Sequence, residues 1–388
     1  MEQRRFTPMQ MLIAVLATVA ATVGLLALLI CLLLGRWGLS VMESVVLINT
    51  QFVGEFDRDA AADSALSAMV NALGDRWSYY LTAEQHEDQN QRRANSFVGV
   101  GITVNYEREE GLLIVSVTED GPASQGGLLP GEIITAVDGQ SAAGEERWNA
   151  VSLIQGEEGT QVTLTVQGED GQSREVPLTR ARIASKSVTW KLLEDNTAVI
   201  TVKNFYTGCG QQGQAAMAEA VESGAERIVF DMRNNPGGYI TELTYFLDAV
   251  LPEGVIFRTT GPLGFEQKTR SDSNCVELPM AVLVNGDSYS AAEFFAAELQ
   301  ETGWAIIVGT PTSGKGYSQI TFPLVHGGAL AISTNTYRTG EGVSLIGTGL
   351  ALDIEAELEE EKAPYLYAGV LDPAEDTQLQ TAIAALSK

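Results

Sequence analysis

At 388 residues the chain is long enough for two or three domains. Hydrophobic residues at 45% and charged residues at 19% are those of a folded protein with a sizeable core. The 50 acidic residues against 24 basic ones give a formal charge of −26, which repels phosphate and argues against a nucleic-acid partner.

The N-terminus comes first. Arg4 and Arg5 precede residues 11–34, a run without a charge. The run is longer than a signal-peptide core, and no small-x-small cleavage site follows it. It predicts one transmembrane anchor helix. The arginines place residues 1–10 in the cytoplasm and everything beyond about residue 36 outside, although Arg36 weakens that bias. The expected location is the cell membrane, single-pass. Cys31 lies in the run. Cys209 and Cys275 lie in the exported part, where a disulfide is chemically allowed, but two cysteines without a spacing signature read at least as readily as free thiols. No cysteine or histidine spacing suggests a metal, and no cofactor is expected.

Residues 41–95 read as an N-terminal helical region, with apolar residues at helical spacing and "DRWSYYL" ending the second run. The polar stretch "EQHEDQNQRRANS" reads as a linker. From Phe97 the pattern changes to β-branched runs, such as "FVGVGITV" and "GTQVTLTV", separated by turn residues. Residues 96–183 therefore predict a compact, mostly-β module. From about residue 184 strands and helices alternate: "TAVITV", "QQGQAAMAEAVESG", "ERIVFDMR", "LTYFLDAVL", "PMAVLVNG", "SAAEFFAAELQ" and "WAIIVGT". That order predicts an α/β core with a largely parallel sheet, whose active groups belong at the carboxyl ends of strands.

Three loops of this core carry chemistry. In "DMRNNPGG", Gly237 and Gly238 permit unusual backbone angles and leave amides unshielded, as an oxyanion requires; a plain tight turn accounts for them equally well. In "NGDSYSAAEFF", Ser290 stands where strand turns to helix, with the Ala291 amide beside it. A lone serine there is more simply an N-cap. In "GTPTSGKGYSQ", Lys315 becomes a proton acceptor only if burial strips its charge of hydration. Moving its pKa from about 10.4 to about 7 costs roughly 5 kcal/mol. Gln319, four residues on, is placed to orient a neutral amine. Taken alone, Lys315 reads as an exposed loop residue. The two histidines, His86 in the polar linker and His326 in the turn "LVHGGAL", read as surface residues.

Taken in order, "DRWSYYL", "FVGVGITV", "GPASQGGLLPGEIITAVDG", "DMRNNPGG", "VLVNGDSYSAAEFFAAELQ" and "GTPTSGKGYSQ" resemble the motifs of C-terminal processing peptidases, serine peptidases of family S41 that carry a PDZ domain. The resemblance covers nearly the whole exported part. It implies an α/β protease core over residues 184–388 with an inserted PDZ domain over 96–183. By position it makes Ser290 the nucleophile, Lys315 the general base, Gln319 the support of the lysine, and Gly237, Gly238 and Ala291 the oxyanion hole. Ser288 becomes a turn or cap residue. The segment Phe97, Val98, Gly99, Val100, Gly101 and Ile102 matches the loop that takes a substrate C-terminal carboxylate, and consecutive exposed amides next to a strand edge suit that task.

The implied partners are polypeptides bound by their C-termini, and the resemblance admits a homodimer through the terminal regions. The sequence departs from the family at Gln155, where an arginine is common, and that leaves open how the PDZ domain acts on the core. Ala292 stands where the family has a third serine, a change that is harmless if Ser290 attacks; Leu352 and the missing proline in "YRTGEG" also depart, as loop variation. Two other readings stand beside proteolysis: a catalytically inactive PDZ scaffold that binds protein C-termini, and a serine hydrolase dependent on His326.

Overall fold

In the computed structural model, which describes residues 7–106, 108–168, 170–369 and 371–387, the apolar run is part of one long helix. α1 (Pro8–Gln51) opens with a capping box between Thr7 and Gln10 and a proline in its first turn. It is interrupted at Gly35, whose φ of 60° lies just past the uncharged run. By length and composition α1 can cross a membrane. It lies in a unit of its own that runs to Ala62 and takes in the start of α2 (Arg58–Asn71).

The second unit begins with two departures from the sequence reading. "DRWSYYL" does not end a helix: β1 (Tyr79–Leu81) is a strand. The stretch "EQHEDQNQRR" is not a linker but helix α3 (Ala83–Arg93). Thr82 and Gln85 form a capping box, Glu84 sits in the first turn, and Arg92 and Arg93 close the last turn, so caps and the helix dipole stabilise it. It has no buried residue and hence no apolar stripe for sequence analysis to find.

The β module comprises β2 (Ser96–Gly99), β3 (Ile102–Asn105), β4 (Leu112–Val117), the short α4 (Pro122–Gln125), β5 (Ile133–Val137), β6 (Gln140–Ser141), α5 (Arg147–Ile154), β7 (Gln161–Gln167), β8 (Ser173–Thr179) and β9 (Ala181–Ala184). Its antiparallel sheet runs β3-β4-β5-β7-β8, with β6 beside β5 and a separate β2–β9 ladder. β3 is therefore an edge strand. Alternate residues Val162, Leu164 and Val166 of β7 point into the module's own core beside Ile114 and Ile134. The end of α5, where Gln155 stands, is held by Arg180: its guanidinium donates to the carbonyls of Leu153 at 2.7 Å and Ile154 at 2.9 Å.

The core continues with β10 (Val188–Leu192), β11 (Thr197–Val202), α6 (Cys209–Glu222), β12 (Arg227–Asp231), α7 (Ile240–Val250), β13 (Gly254–Thr260), β14 (Glu266–Ser271), β15 (Met280–Val284), α8 (Ala291–Glu301), β16 (Ala305–Gly309), β17 (Tyr317–Pro323), β18 (Ala329–Arg338), β19 (Ile354–Glu355), α9 (Ala363–Ala368) and α10 (Thr377–Leu386). The main sheet is ordered β10-β11-β12-β15-β16-β19, and every pair but β10–β11 is parallel. The strands are apolar on both faces, as a covered parallel sheet requires. Ile200, Phe230 and Val282 pack against α6, α7 and α8, while Val199, Val229 and Leu283 pack against α10. Phe295 of α8 meets Phe230 and Phe246 at ring distances of 5.0 and 5.1 Å. A second sheet, β1-β18-β13-β14 with β17 on β18, is antiparallel and was not foreseen. The turn holding His326 joins β17 to β18, as read from the sequence. Cys31, Cys209 and Cys275 are all free.

One buried acid of this core makes a testable prediction. Glu298 of α8 is fully buried and accepts the Gly340 amide. Burial, reinforced by the charge of Glu301, pushes its carboxyl up to about 9. A folded value above the ordinary one means that its stabilising contribution is complete at acidic pH and is lost as the pH rises through about 9. Glu298→Gln should remove that loss. Thermal melts should show the variant gaining on the parent chain from pH 6 to pH 10; a difference that stays constant with pH contradicts the assignment.

Candidate active site

Three loops leave the carboxyl ends of β12, β15 and β16 and meet at one end of the sheet. The first is anchored from below. Arg233, almost wholly buried, donates to Asp231 at 2.6 Å and to Asp376 at 2.7 Å, with a further bond to Gln378. Its single positive charge is shared by the two buried carboxylates, which offsets part of the cost of burying them and ties the loop to the start of α10. Asn235, fully buried, then shapes the turn: its side chain donates to the Val202 carbonyl and accepts the Gly237 amide, both at 2.8 Å. Asn285 laces the second loop to the first by accepting the Asn234 amide and donating to the Asn234 side chain.

Ser288 is committed to that second loop. It is fully buried, donates to the Met232 carbonyl at 2.8 Å, and accepts the Asn285 amide. Ser290 follows with φ 60° and ψ −122°, an arrangement that costs a non-glycine residue about 1–3 kcal/mol. The strain is held by bonds from both sides: the Tyr289 amide donates to the Asn235 carbonyl and the Ser290 amide to Glu293. The resulting sharp turn from strand to helix is the geometry that exposes a nucleophile. The Ala291 amide opens the helix and has no acceptor among the described residues.

The glycines divide. The Gly237 amide is taken by Asn235, whereas that of Gly238 has no acceptor among the described residues. Both have positive φ, 82° and 155°. A Cβ on Gly237 would lie 2.9 Å from the Ala291 nitrogen, so the space in front of that amide is kept open by the missing side chain.

Lys315 is half-buried, its Nζ 4.7 Å from the ring centre of Trp77 and 5.5 Å from that of Tyr289. Burial, together with the charge of Arg93, lowers its pKa to about 8, against the smaller opposing pull of Glu293 and Asp75. Ser290, Lys315, Gln319 and Gly238 line one cavity of about 470 Å³. Oγ of Ser290 and Nζ of Lys315 make no direct hydrogen bond; such bonds commonly tighten only when substrate is present. Gln319 donates through its amide nitrogen to the Tyr317 carbonyl and the Ser333 hydroxyl, both at 3.2 Å, rather than bonding Lys315.

Neither imidazole belongs to this cavity. His326 bonds the Tyr80 hydroxyl at 2.7 Å, and His86 bonds the Gly327 carbonyl at 3.2 Å. Sequence analysis missed the residues that make the pocket: Trp77 and Tyr289 over the amine, and Gln85, Gln89, Arg92 and Arg93 from α3. The capping box of α3 was the one signal that α3 was ordered.

Of the six β-module residues, Phe97, Val98 and Gly99 are paired with Ile183, Arg182 and Ala181. Val100 and Gly101 form the turn, their carbonyls taken by the amides of Ala123 and Thr118, and Ile102 begins the edge strand β3.

Comparison with known families agrees with this layout. Residues 196–356 match peptidase family S41 and residues 113–168 match the PDZ domain. The chain carries an S41-family peptidase domain and a PDZ domain. All three loops fall within the S41 match, whereas the turn at Val100 and Gly101 precedes the residues matched to the PDZ domain.

The chain is 30% identical over 321 residues to the "Probable CtpA-like serine protease" of Staphylococcus aureus (strain N315), covering 81% of this chain and 64% of that one. It is 29% identical over 310 residues to the protein of the same description from Staphylococcus haemolyticus (strain JCSC1435), covering 79% and 62%. It thus spans somewhat under two thirds of the length of these curated relatives. Among solved structures it is similar in fold to the photosystem II D1 C-terminal processing protease, with a TM-score of 0.50 and 23% identity over 89% of this chain and 94% of that one.

Proposed function

We propose that this chain is a membrane-anchored serine endopeptidase that acts outside the membrane and cleaves polypeptides near their C-termini. Residues 11–34 of α1 are the anchor. The PDZ domain takes the substrate C-terminus, with the amides around Val100, Gly101 and Ile102 receiving the carboxylate and the β3 edge pairing with the peptide. Support comes from a cavity of about 1340 Å³ whose walls include Thr103 to Asn105 of β3 and the following Tyr106, Trp148 of α5, and Asn234 and Asn285 of the core loops. A peptide lying along β3 has its upstream residues directed toward those loops.

Neutral Lys315 takes the proton of Ser290 as Oγ attacks the scissile carbonyl. The amides of Ala291 and Gly238 receive the oxyanion. Protonated Lys315 returns the proton to the leaving amine, and water then hydrolyses the acyl-enzyme, with the same amine as base. Gln319 acts by position, filling the wall beside Lys315. The observation that carries this reading is the pairing of a strained, buried serine with a lysine depressed to about 8 in one cavity.

The test is labelling of the full chain by a serine-reactive phosphonate. Ser290 should be the residue tagged, at a rate that rises with pH about a midpoint near 8, because only the neutral amine accepts the proton; at pH 7 about a tenth of it is neutral. Arg93→Gln removes a like charge and should raise that midpoint by roughly half a unit to one unit. Retention of a free C-terminal peptide without any labelling indicates a scaffold instead.

A further inference from the structure

We propose that Glu293 is a positioning residue that fixes the serine loop and the lysine loop relative to each other, a role that rests on reading Ser290 and Lys315 as nucleophile and base. Its side chain is fully buried in the first turn of α8. One oxygen, Oε2, accepts the Ser290 amide at 2.9 Å and the Lys315 amide at 3.0 Å. The other, Oε1, accepts the Gly314 amide at 2.7 Å and the Thr312 hydroxyl at 2.6 Å. A helix cap needs only the first of these bonds. The other three reach across to the loop that follows β16.

Four donors converge on two oxygens, and only an acceptor-only group satisfies them all. Glutamine has the same shape but one oxygen, and its NH2 would face two donors. Both reactive residues therefore take their backbone position from a single atom. The strained φ of Ser290 and the half-buried place of Lys315 are set together rather than separately. The negative charge has a second consequence, because it opposes the effect of burial on the lysine.

The experiment compares the full chain with Glu293→Gln in detergent micelles, by hydrogen–deuterium exchange and by cleavage of an unstructured polypeptide such as β-casein. Exchange at Ser290, Gly314 and Lys315 should accelerate together, by about tenfold or more, while β12 and β15 stay protected. The kcat should fall about 100-fold with KM within about threefold. The pH midpoint should move below that of the parent chain, since a counter-charge has gone. A merely structural role instead loosens the core as a whole: β12 and β15 lose protection along with the two loops, water reaches the amine, and the midpoint rises toward its ordinary value.

Should Glu293→Gln fail to fold, Glu293→Asp serves. It keeps the charge but is one methylene short of spanning both loops, so exchange and kcat should change while the midpoint stays. Exchange unchanged in either loop, a kcat within threefold, or a rising midpoint in Glu293→Gln overturns the proposal while Ser290 remains essential. Cleavage that survives Ser290→Ala overturns the proposal and the reading beneath it together.

Discussion

Ser290→Ala and Lys315→Ala should each lower kcat for an unstructured polypeptide by about 10⁴-fold or more, and the double variant should be no worse than either single one. Non-additivity is the sharper part of this expectation. If the amine acts only by removing the Ser290 proton, it has nothing left to do once the hydroxyl is gone. Lys315→Arg should be as inactive as Lys315→Ala, since a guanidinium keeps its proton in any protein environment. That variant preserves the charge beside Trp77 and Tyr289, and so separates loss of the base from loss of a packed cation. Steady-state cleavage with melting curves for each variant decides the matter. A folded Lys315→Arg chain that retains activity excludes the lysine as base, and a double variant with effects that multiply shows that the two residues act in separate steps.

The second large effect is expected at Gly237. Its added Cβ in Gly237→Ala would stand 2.9 Å from both the Ala291 nitrogen and the Ser290 Cβ, and 2.8 Å from the Tyr289 carbonyl oxygen. The new methyl would fill the space that the proposed oxyanion needs. Loss of one oxyanion donor costs about 10²–10³ in kcat. The positive φ of 82° adds about 1–2 kcal/mol of backbone strain for alanine, so the melting temperature should drop as well. A variant that remains folded, binds substrate with an unchanged KM and loses activity by this factor supports the Ala291 amide as donor. Full activity in a folded Gly237→Ala chain moves the oxyanion elsewhere. Gly238→Ala is the less informative neighbour, because its Cβ would meet the Phe205 carbonyl at 2.2 Å and disturb the fold itself.

How much of this was legible in the sequence differs from one element to the next. The order of strands and helices in the S41 domain was legible because apolar patterns are local: the continuous run "AVLV" marks β15 as a strand covered on both faces, and the stripe Leu243, Phe246, Leu247 and Val250 records which face of α7 meets the core. Helix α3 was misread as a linker because it has no such face: its polar side chains look into the cavity, and caps and charges hold it. Strand β1 was missed because three residues carry too little pattern, and its pairing with β18 comes from far along the chain. Glu293 was not singled out, since three of its four bonds go to a loop that only folding brings near.

The sequence by itself determined the uncharged N-terminal run, the β module, the alternating S41 core, and the serine, lysine and glycines in their loops. Only the tertiary structure decided that Ser290, Lys315 and Gly238 share one cavity and that the lysine lies near neutrality. The physical reason is that an amine's proton affinity is set by what excludes water and what charge stands nearby. For Lys315 those are Trp77, Tyr289 and Arg93, on other segments of the chain, and no local pattern records their approach.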